Sequence, residues 1–352
     1  MKTRAAVYVE FQKPLVVEEV ELPDPGPTQL LIKQFATGIC HSQLHALHNS
    51  KTTTPRLMGH ESTGVVVSAG SQVSHVKEGD HVMVTFLPRS TVPGARTPLP
   101  VLKWRDQEIH SHGNNSTWAE AILADANFVV PLDSSAPTDV TAIIGCAVMT
   151  GCGSVLNTAK VQAGDSVVVI GVGGVGLAAV QAAANVSAYP IIAVDVDDDK
   201  LAFARRFGAT TGINSRTEDA VARVVEMTGG GADFAFDAIG RQSTIATLLH
   251  YVRPGVAGYR PEGGTAVLVG VPRPEATLTV WDALLPGSKT FKGTNGGSPR
   301  PDHDLPMYVR WFQEGKLPLD LLVSRRYRLE QINEGIGALE RGEILGRSIV
   351  EF

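Results

Sequence analysis

The clearest hydrophobic pattern lies in the middle of the chain, between Ser166 and Asp195. An unbroken apolar run, Val167 to Ile170, has the length and β-branched content of a central parallel strand. Glycines in a GxGxxG spacing follow it directly, and an apolar helical stretch comes next. A second apolar run, Ile191 to Val194, then ends on Asp195. The pattern therefore predicts a strand, a glycine-rich turn, a helix and a second strand.

Alternating strand and helix patterns continue beyond this unit until about residue 295. Strands and helices that alternate at this spacing form a doubly wound parallel sheet, because each crossover helix packs on a face of the sheet. The pattern predicts an α/β domain at residues 148–295. Its further helices are expected at 199–207, 217–228 and 243–252, and its further strands at 211–213, 234–237, 266–269 and 289–293.

The first 147 residues follow a different pattern, in which short strand-like runs are separated by Pro, Gly and Asp turns. The stretch 88–116 is rich in Pro, Gly, Ser and Thr and has no clear period, which predicts an irregular lobe or loop. After about residue 295 the strand–helix alternation ends, and the tail most simply returns to the first domain. We therefore predict a discontinuous β-rich domain at 1–147 and 296–352.

The glycine-rich turn has the features needed to hold a dinucleotide. Gly171 permits a tight turn, Gly173 lets the backbone approach a pyrophosphate, and Gly176 lets helix and strand pack closely. The pyrophosphate would then lie at the positive end of the following helix. Asp195, about 20 residues further on, is placed to accept hydrogen bonds from the ribose hydroxyls. Its charge would repel a 2′-phosphate, so the sequence favours NAD over NADP; Lys200 either reaches the same ribose or is a solvated helix residue.

Composition restricts the classes of partner. The 352 residues are 43% hydrophobic and 19% charged, with a net charge of −5, so the chain has no general attraction to nucleic acid or anionic lipid. The N-terminus is strand-like, without a secretory apolar region. No stretch reaches the ~18 consecutive apolar residues of a membrane span. We expect a cytoplasmic protein that binds neither nucleic acid nor membrane.

The cysteines point to a metal rather than to disulfides. The chain has 3 cysteines, too few and too scattered for a disulfide framework. Cys40, His60 and Cys146 are soft or borderline donors, and three protein ligands with an open fourth position are what a catalytic zinc needs. Because these residues lie far apart in sequence, buried small residues in a core remain an open interpretation. Cys152 is expected to be a packing residue.

Several motifs together decide between these interpretations. The segments GICHSQLH, GHESTGVV, IGCAVMTGCGSVLNTAKVQAGD and GVGGVG resemble, in order and spacing, the zinc-dependent medium-chain alcohol dehydrogenases. DFAFDAIGR, VLVGVP, KTFKG, INEG and GRSIVEF extend the resemblance over nearly the whole chain. The resemblance implies a GroES-like, β-rich catalytic domain and a Rossmann domain, with the active site between them. It places Cys40, His60 and Cys146 on the catalytic zinc ligands and Glu61 on the acid behind the metal.

The chain departs from this family at two places. Members often carry a structural zinc held by four cysteines in the lobe that corresponds to 88–116, but this stretch has no cysteine, so one zinc per subunit is expected. His110 and His112, with Asp106 and Glu108, lack a matching second cluster. Gln43 occupies a position that is commonly aspartate in relatives, where the aspartate can orient the zinc-bound histidine. An amide can still hydrogen-bond the imidazole but brings no charge, so we expect its support of the histidine to be weaker or different.

The resemblance also implies the chemistry. Zinc lowers the pKa of a bound alcohol, which then gives a hydride to the nicotinamide and leaves as an aldehyde or ketone. Ser42 matches the hydroxyl of a proton relay, and His45 matches its next member. The alternatives are that Ser42 is a local helix cap and that His45 is an ordinary surface histidine.

The resemblance also implies further cofactor contacts. These would be Thr150 near the nicotinamide, Gly174 and Val175 through backbone N–H groups, Ile239, Arg241, Val269 and Val271 along the cleft, Arg347 on the pyrophosphate, and His41, which replaces a second phosphate-binding arginine.

Substrate and assembly are the least constrained features. Phe86 and Trp118 resemble pocket-lining positions and suggest an apolar substrate of moderate size. Family habit suggests a homodimer or homotetramer, with Leu278 to Leu285 as a possible edge strand across a two-fold axis. Two other functions stay open: a zinc-free reductase of the quinone-reductase type and, from a different class, a non-enzymatic dinucleotide-binding protein.

Overall fold

The tail of the chain adds strands to a sheet that is otherwise built from the N-terminal part of the chain. Strand Arg347–Glu351 pairs antiparallel with Gln29–Ile39, with Ser348 opposite Ile39. The computed structural model describes residues 1–49, 51–89, 100–111, 113, 115–256, 258, 260–279 and 287–352. Its first unit comprises Met1–Cys146, Arg300–Gly315 and Leu319–Phe352, and its second unit Ala147–Pro299 and Lys316–Pro318.

The first unit contains a closed barrel and a seven-stranded sheet. Alternating apolar positions of the strands fill one large core, which includes Val7, Leu30, Ile32 and Val84, each with no exposed surface. The barrel order is β1-β2-β7-β8-β4, and the sheet order is β10-β6-β5-β3-β18-β17 with β9 also paired to β3. The strands are β1 (Lys2–Tyr8), β2 (Val16–Glu21), β3 (Gln29–Ile39), β4 (Arg56–Leu57), β5 (Ser62–Ala69), β6 (His81–Val84), β7 (Val101–Trp104), β8 (Gln107–Ser111), β9 (Ala121–Asp125), β10 (Val129–Pro131), β17 (Val323–Arg328) and β18 (Arg347–Glu351).

Part of the lobe that was predicted to be irregular is a β-hairpin. Strands β7 and β8 pair antiparallel, and they close the barrel through β2 on one side and β4 on the other. Trp104 anchors the hairpin: its side chain is buried, its Nε1 donates to Glu18 at 2.9 Å, and the Arg105 guanidinium lies 4.5 Å from its ring centroid. The prediction failed here because the strands are short and polar on one face. Residues 90–99, 112 and 114 of the lobe, including His112, lie outside the described residues.

The tail contributes a strand that the sequence pattern did not reveal. Val323–Arg328 pairs parallel with Arg347–Glu351, and its arginines are exposed, so it shows little apolar alternation. The helices of the first unit are His41–Leu47, Pro301–Gln313, Leu319–Leu322 and Ile332–Glu340, with short 3₁₀ turns at Ala126–Phe128 and Leu329–Gln331.

The second unit contains a six-stranded, all-parallel sheet, as predicted, and in the described residues helices connect its first five strands in chain order. Its order is β13-β12-β11-β14-β15-β16, and the central strand β11 is buried on both faces. The strands are β11 (Val167–Ile170), β12 (Ile191–Asp195), β13 (Thr211–Asn214), β14 (Phe234–Asp237), β15 (Thr265–Leu268) and β16 (Thr290–Gly293), and the helices are Gly174–Asn185, Asp198–Arg205, Ala220–Thr228 and Gln242–Leu248. The expected edge strand at 278–285 falls largely on residues 280–286, which lie outside the described residues.

One helical run of the described residues is long and apolar. Residues Val140–Ala159 form a 20-residue helical stretch that is, by length and composition, long and apolar enough to cross a membrane. However, 89% of the most apolar 18-residue segment of this stretch is buried inside the protein, as in the core helix of a folded domain. The run mixes geometries: Val140–Ile143 is 3₁₀, Ile144–Val148 π, Met149–Gly153 α and Ser154–Ala159 π.

Candidate metal centre

Cys40 lies where a central strand of the first unit becomes a helix. Strand β3 ends at Ile39, and helix His41–Leu47 begins directly after Cys40, whose carbonyl accepts from the Gln43 N–H at 3.0 Å. The thiol is therefore held between a buried strand and the first turn of a helix. Its residue is only 7% exposed.

His60 and Glu61 lie directly before the neighbouring strand, β5. Gly59 before them has φ +96°, and a Cβ at this position would lie 2.6 Å from the backbone nitrogen of Trp118, so only glycine fits. Strand β5 starts at Ser62, which is paired with Thr37 of β3, and the Gly38 N–H donates to the Glu61 carbonyl at 3.2 Å. Strand pairing thus carries His60 to the side of Cys40.

Cys146 lies on the π-helical turn Ile144–Val148. Thr85, at the end of β6, donates its hydroxyl to the Gly145 carbonyl at 2.8 Å and ties this turn to the sheet. Single π turns within α-helices occur frequently at functional sites, because they reorient one side chain relative to the regular helix. The sequence did not reveal this geometry.

The donor atoms converge on one point. Cys40 Sγ and Cys146 Sγ are 3.8 Å apart, His60 Nε2 is 3.2 Å from Cys146 Sγ, and the donor atoms of these residues and Glu61 all lie within 4.8 Å of one another. A tetrahedral zinc with bonds of about 2.3 Å to sulfur and 2.0–2.1 Å to nitrogen separates two sulfurs by about 3.8 Å and sulfur from nitrogen by about 3.6 Å. The donor set and its spacing therefore fit zinc.

The surroundings favour the ionised form of Cys40. The neighbouring Cys146 sulfur, by hydrogen bonding, holds the pKa of the Cys40 thiol well below its ordinary value, and Arg347 and His60 lower that pKa further against the opposing effect of burial. The Ser42 hydroxyl also donates to Cys40 Sγ at 3.3 Å. Since the thiolate is the form that binds a metal, the pocket is prepared for one.

Behind the donors lies a buried ion pair between Glu61 and Arg347. The Glu61 side chain has no exposed surface and that of Arg347 is 6% exposed, and an Arg347 terminal nitrogen donates to Glu61 Oε1. Arg347, which was predicted to bind the cofactor pyrophosphate, is thus paired with Glu61 in this structure. Its role toward a phosphate stays a prediction.

Helix His41–Leu47 carries both predicted relay residues, of which Ser42 is half-buried, and the predicted phosphate contact His41. His41 and His45 are exposed, and their rings contact edge to face with centroids 5.7 Å apart. Phe86 contacts the His60 ring in the same manner, also at 5.7 Å. Trp118, which was predicted to line a substrate pocket, is instead 1% exposed and donates its Nε1–H to the Gly38 carbonyl, because its ring fills the core beside Gly59.

The second unit carries the predicted glycine turn at the carboxyl end of its central strand. Gly171 has φ +83°, as a tight turn requires, and a Cβ at Gly176 would lie 1.9 Å from the Gly171 carbonyl oxygen. A Cβ at Gly173 would meet nothing within 4 Å, so the backbone there is open to a ligand. Helix Gly174–Asn185 begins immediately after it, and its first turn includes Val175.

Asp195 connects this turn to the next strand. One carboxylate oxygen accepts from the Val172 N–H at 2.9 Å, and the other accepts from the Val196 N–H at 2.7 Å, while the residue is 9% exposed. Parallel register places the ends of β11, β12, β14 and β15 along one edge of the sheet. The remaining predicted cofactor residues at or near this edge are Lys200, half-buried; Ile239, 37% exposed; Arg241, exposed; Val269, buried; and Val271, 56% exposed. Thr150, on helix Met149–Gly153, is 8% exposed.

Sequence reasoning missed Asp237, which organises the same edge. It is fully buried at the end of β14 and accepts from the N–H groups of Ile239 and Gly240 and from the Thr244 hydroxyl. Its position could have revealed it, because Asp237 is an acid at the end of an apolar strand, as Asp195 is. Asp237 holds the loop on which the predicted contacts Ile239 and Arg241 lie.

Thiol labelling should separate the cysteines. We expect iodoacetamide to modify Cys40 before Cys152 in protein treated with a chelator at neutral pH. Burial raises the pKa of the Cys152 thiol, and its Sγ donates to the Ala178 carbonyl at 3.4 Å, so it stays protonated and unreactive. Peptide mass mapping over time measures the order. Earlier modification of Cys152 would contradict its assignment as a packing residue.

Comparison with known proteins agrees with this geometry. Residues 26–134 match the family of alcohol dehydrogenase GroES-like domains, and residues 174–314 match the zinc-binding dehydrogenase family. An alcohol dehydrogenase zinc-binding domain protein from Burkholderia ambifaria is 30% identical, with a TM-score of 0.92 over 100% of this chain and 99% of its own. Benzyl alcohol dehydrogenase from Acinetobacter calcoaceticus is 29% identical, with a TM-score of 0.89 over 100% of this chain and 99% of its own.

A third solved structure supports the fold alone. The 2R,3R-butanediol dehydrogenase from Bacillus subtilis is 24% identical, with a TM-score of 0.79 over 99% of each chain. The predicted combination of a GroES-like domain and a Rossmann-type domain is confirmed by the family matches. The chain therefore belongs to the zinc-binding, medium-chain alcohol dehydrogenases and is an oxidoreductase of that family.

Proposed function

We propose that this protein is a zinc- and NAD-dependent dehydrogenase that interconverts primary or secondary alcohols and the corresponding aldehydes or ketones. The observation that carries the proposal is the convergence of Cys40, His60 and Cys146, whose donor atoms fit one zinc ion. Zinc held there would polarise the substrate oxygen, and NAD would take up or return the hydride. Two thiolates and a neutral imidazole would bring the site to zero net charge.

The chain's own residues then hold the ligands and move the proton. The Ser42 hydroxyl lies beside the Cys40 sulfur, within reach of the metal position, and is the first candidate to take the proton of the alcohol. His45 follows on the same helix and is exposed, so it is suited to pass the proton to solvent. Glu61, paired with Arg347, supplies negative charge behind the ligands.

The cofactor would be held by the second unit. The open backbone at Gly173 and the free N–H groups at the start of helix Gly174–Asn185 suit a pyrophosphate. Asp195 is fixed by two backbone N–H groups and keeps further lone pairs for the ribose hydroxyls. These features support NAD rather than NADP.

A substrate with an apolar end of moderate size is the best candidate. Phe86 contacts the ring of His60 and so borders the metal position. The similarity to a benzyl alcohol dehydrogenase at 29% identity makes aromatic primary alcohols the first class to examine.

A substrate panel tests the proposal directly. The zinc-loaded protein should form NADH with benzyl alcohol, 1-butanol or 2-butanol, measured as absorbance at 340 nm with NAD and, separately, NADP. Zinc content should be about one equivalent per chain, as a single catalytic site requires. An active preparation with less than about half an equivalent would instead support a zinc-free reductase, and no turnover of any alcohol or carbonyl would support a dinucleotide-binding role without catalysis.

Asp195→Asn is expected to weaken the preference for NAD. The amide keeps the size of the side chain but removes the charge that repels a 2′-phosphate. Like charges in contact at a binding site cost several kcal/mol, so the ratio of kcat/KM for NADP to that for NAD should rise on the order of 100-fold. Glu218→Gln, which removes an exposed acid of the same unit, is the matched control and should leave the ratio unchanged. An unchanged ratio in Asp195→Asn would remove Asp195 from the cofactor site.

A further inference from the structure

One buried amide connects the backbone of Gly59 to the ring of His60. Gln43 lies in the first turn of helix His41–Leu47 and is 4% exposed. Its Oε1 accepts from the Gly59 N–H at 2.9 Å, and its Nε2 lies 2.6 Å from His60 Nδ1. The side chain thus holds both the left-handed turn and the orientation of the histidine that follows it.

The direction of these bonds defines where the proton of His60 lies. Because Oε1 is used by the Gly59 N–H, the group that faces Nδ1 is the NH₂ of the amide, which only donates. Nδ1 must therefore accept, and the proton of the neutral ring lies on Nε2. That nitrogen faces Cys146 Sγ at 3.2 Å, where an N–H has a sulfur acceptor. In this arrangement the Gly59 N–H, the Gln43 amide and both ring nitrogens of His60 each have a partner.

Binding of a metal through Nε2 conflicts with this arrangement. A ligating Nε2 has no proton, so the neutral ring carries it on Nδ1, directly opposite the NH₂ of Gln43. Rotating the amide would offer its oxygen to Nδ1 but would turn the NH₂ toward the Gly59 N–H. Either way two donors face each other in a buried place, and one of them loses its acceptor.

We propose that Gln43 is a positioning residue that opposes metal binding by His60 and so makes the metal of this centre exchangeable. The inference rests on the proposed zinc site. A glutamate at this position would remove the conflict, since one carboxylate oxygen accepts from the Gly59 N–H and the other from a protonated Nδ1. Groups that hydrogen-bond to metal-bound histidines alter metal affinity about 10- to 100-fold.

Metal release measures this effect without reference to activity. Zinc-loaded parent protein and Gln43→Glu are mixed with an excess of the chromogenic chelator 4-(2-pyridylazo)resorcinol, and zinc transfer is followed by absorbance. We expect the variant to release zinc about 10- to 100-fold more slowly. Gln313→Glu adds the same charge at an exposed position of the same unit and should match the parent. The visible spectrum of the Co²⁺-loaded forms reports whether the ligand set is retained.

Each outcome decides the matter. Zinc release from Gln43→Glu that is as fast as from the parent, or faster, overturns this inference while leaving the zinc site intact. A parent protein that takes up no zinc overturns the proposed function and this inference with it. Should Gln43→Glu not fold, Gln43→Met removes the opposing donor at similar volume: zinc release slower than from the parent supports the inference, and release as fast or faster overturns it.

Discussion

Replacing Cys40 with alanine is expected to abolish zinc binding and to lower alcohol-dependent NADH formation at least on the order of 1000-fold. The thiol is one of three donors around a single position, and Cys146 and His60 alone form an incomplete site. Polarisation by a metal contributes several kcal/mol of transition-state stabilisation, and each 1.4 kcal/mol corresponds to about tenfold in rate.

Zinc content and NADH formation at 340 nm should be measured on the same preparations of Cys40→Ala. Cys152→Ala is the matched control, because Cys152 is a fully buried cysteine outside the donor set and its Sγ donates to a backbone carbonyl. The control should keep both zinc and activity. A Cys40→Ala protein with one equivalent of zinc and parental turnover would eliminate the proposed centre.

Arg347→Met is expected to destabilise the first unit by about 3–5 kcal/mol. The substitution leaves the carboxylate of Glu61, which has no exposed surface, without its positive partner. Breaking a buried pair by removing one member costs this much because an uncompensated charge remains in a medium of low dielectric constant. For a unit of this size the melting temperature should fall by roughly 6–20 °C.

A double-variant cycle isolates the charge effect. Glu61→Gln combined with Arg347→Met removes both charges and should recover at least half of the lost melting temperature, measured by circular dichroism on protein without added zinc. Arg326→Met provides the control: Arg326 pairs with Asp139 and Glu351 at the surface, and such exposed pairs contribute about 1 kcal/mol or less. Equal losses in Arg347→Met and Arg326→Met would mean that an unpaired Glu61 carboxylate costs no more than a broken surface pair.

The parallel sheet of the second unit was largely predictable because its signals are local. Val167–Ile170 is buried on both faces and reads as one apolar run, and Gly171 and Gly176 follow where the backbone needs a positive φ and a close approach. Strand Val323–Arg328 was missed for the opposite reason. Its side chains are mostly exposed and charged, and only pairing with the last strand makes it β-structure.

The metal centre likewise combines features that the sequence indicates with features that only long-range contacts determine. Cys40, His60 and Cys146 are residue types that zinc prefers, but it was the resemblance of the surrounding motifs to the zinc-dependent family that singled them out as donors. Their spatial convergence could not be read from the sequence, because it depends on the pairing of β3 with β5 and on a π turn around Cys146. The pairing of Arg347 with Glu61, and the amide of Gln43 between Gly59 and His60, likewise join residues that are distant in sequence.

By itself, the sequence determined the strand–helix order of the second unit, the glycine turn and the chemical types of the donors, because periodicity, backbone freedom and donor softness are properties of single residues and short segments. Only the tertiary structure decided which donors meet, which charges are buried together and which way the Gln43 amide points. Those features arise from contacts between strands far apart in the chain, where desolvation makes each hydrogen bond and each charge depend on its neighbours.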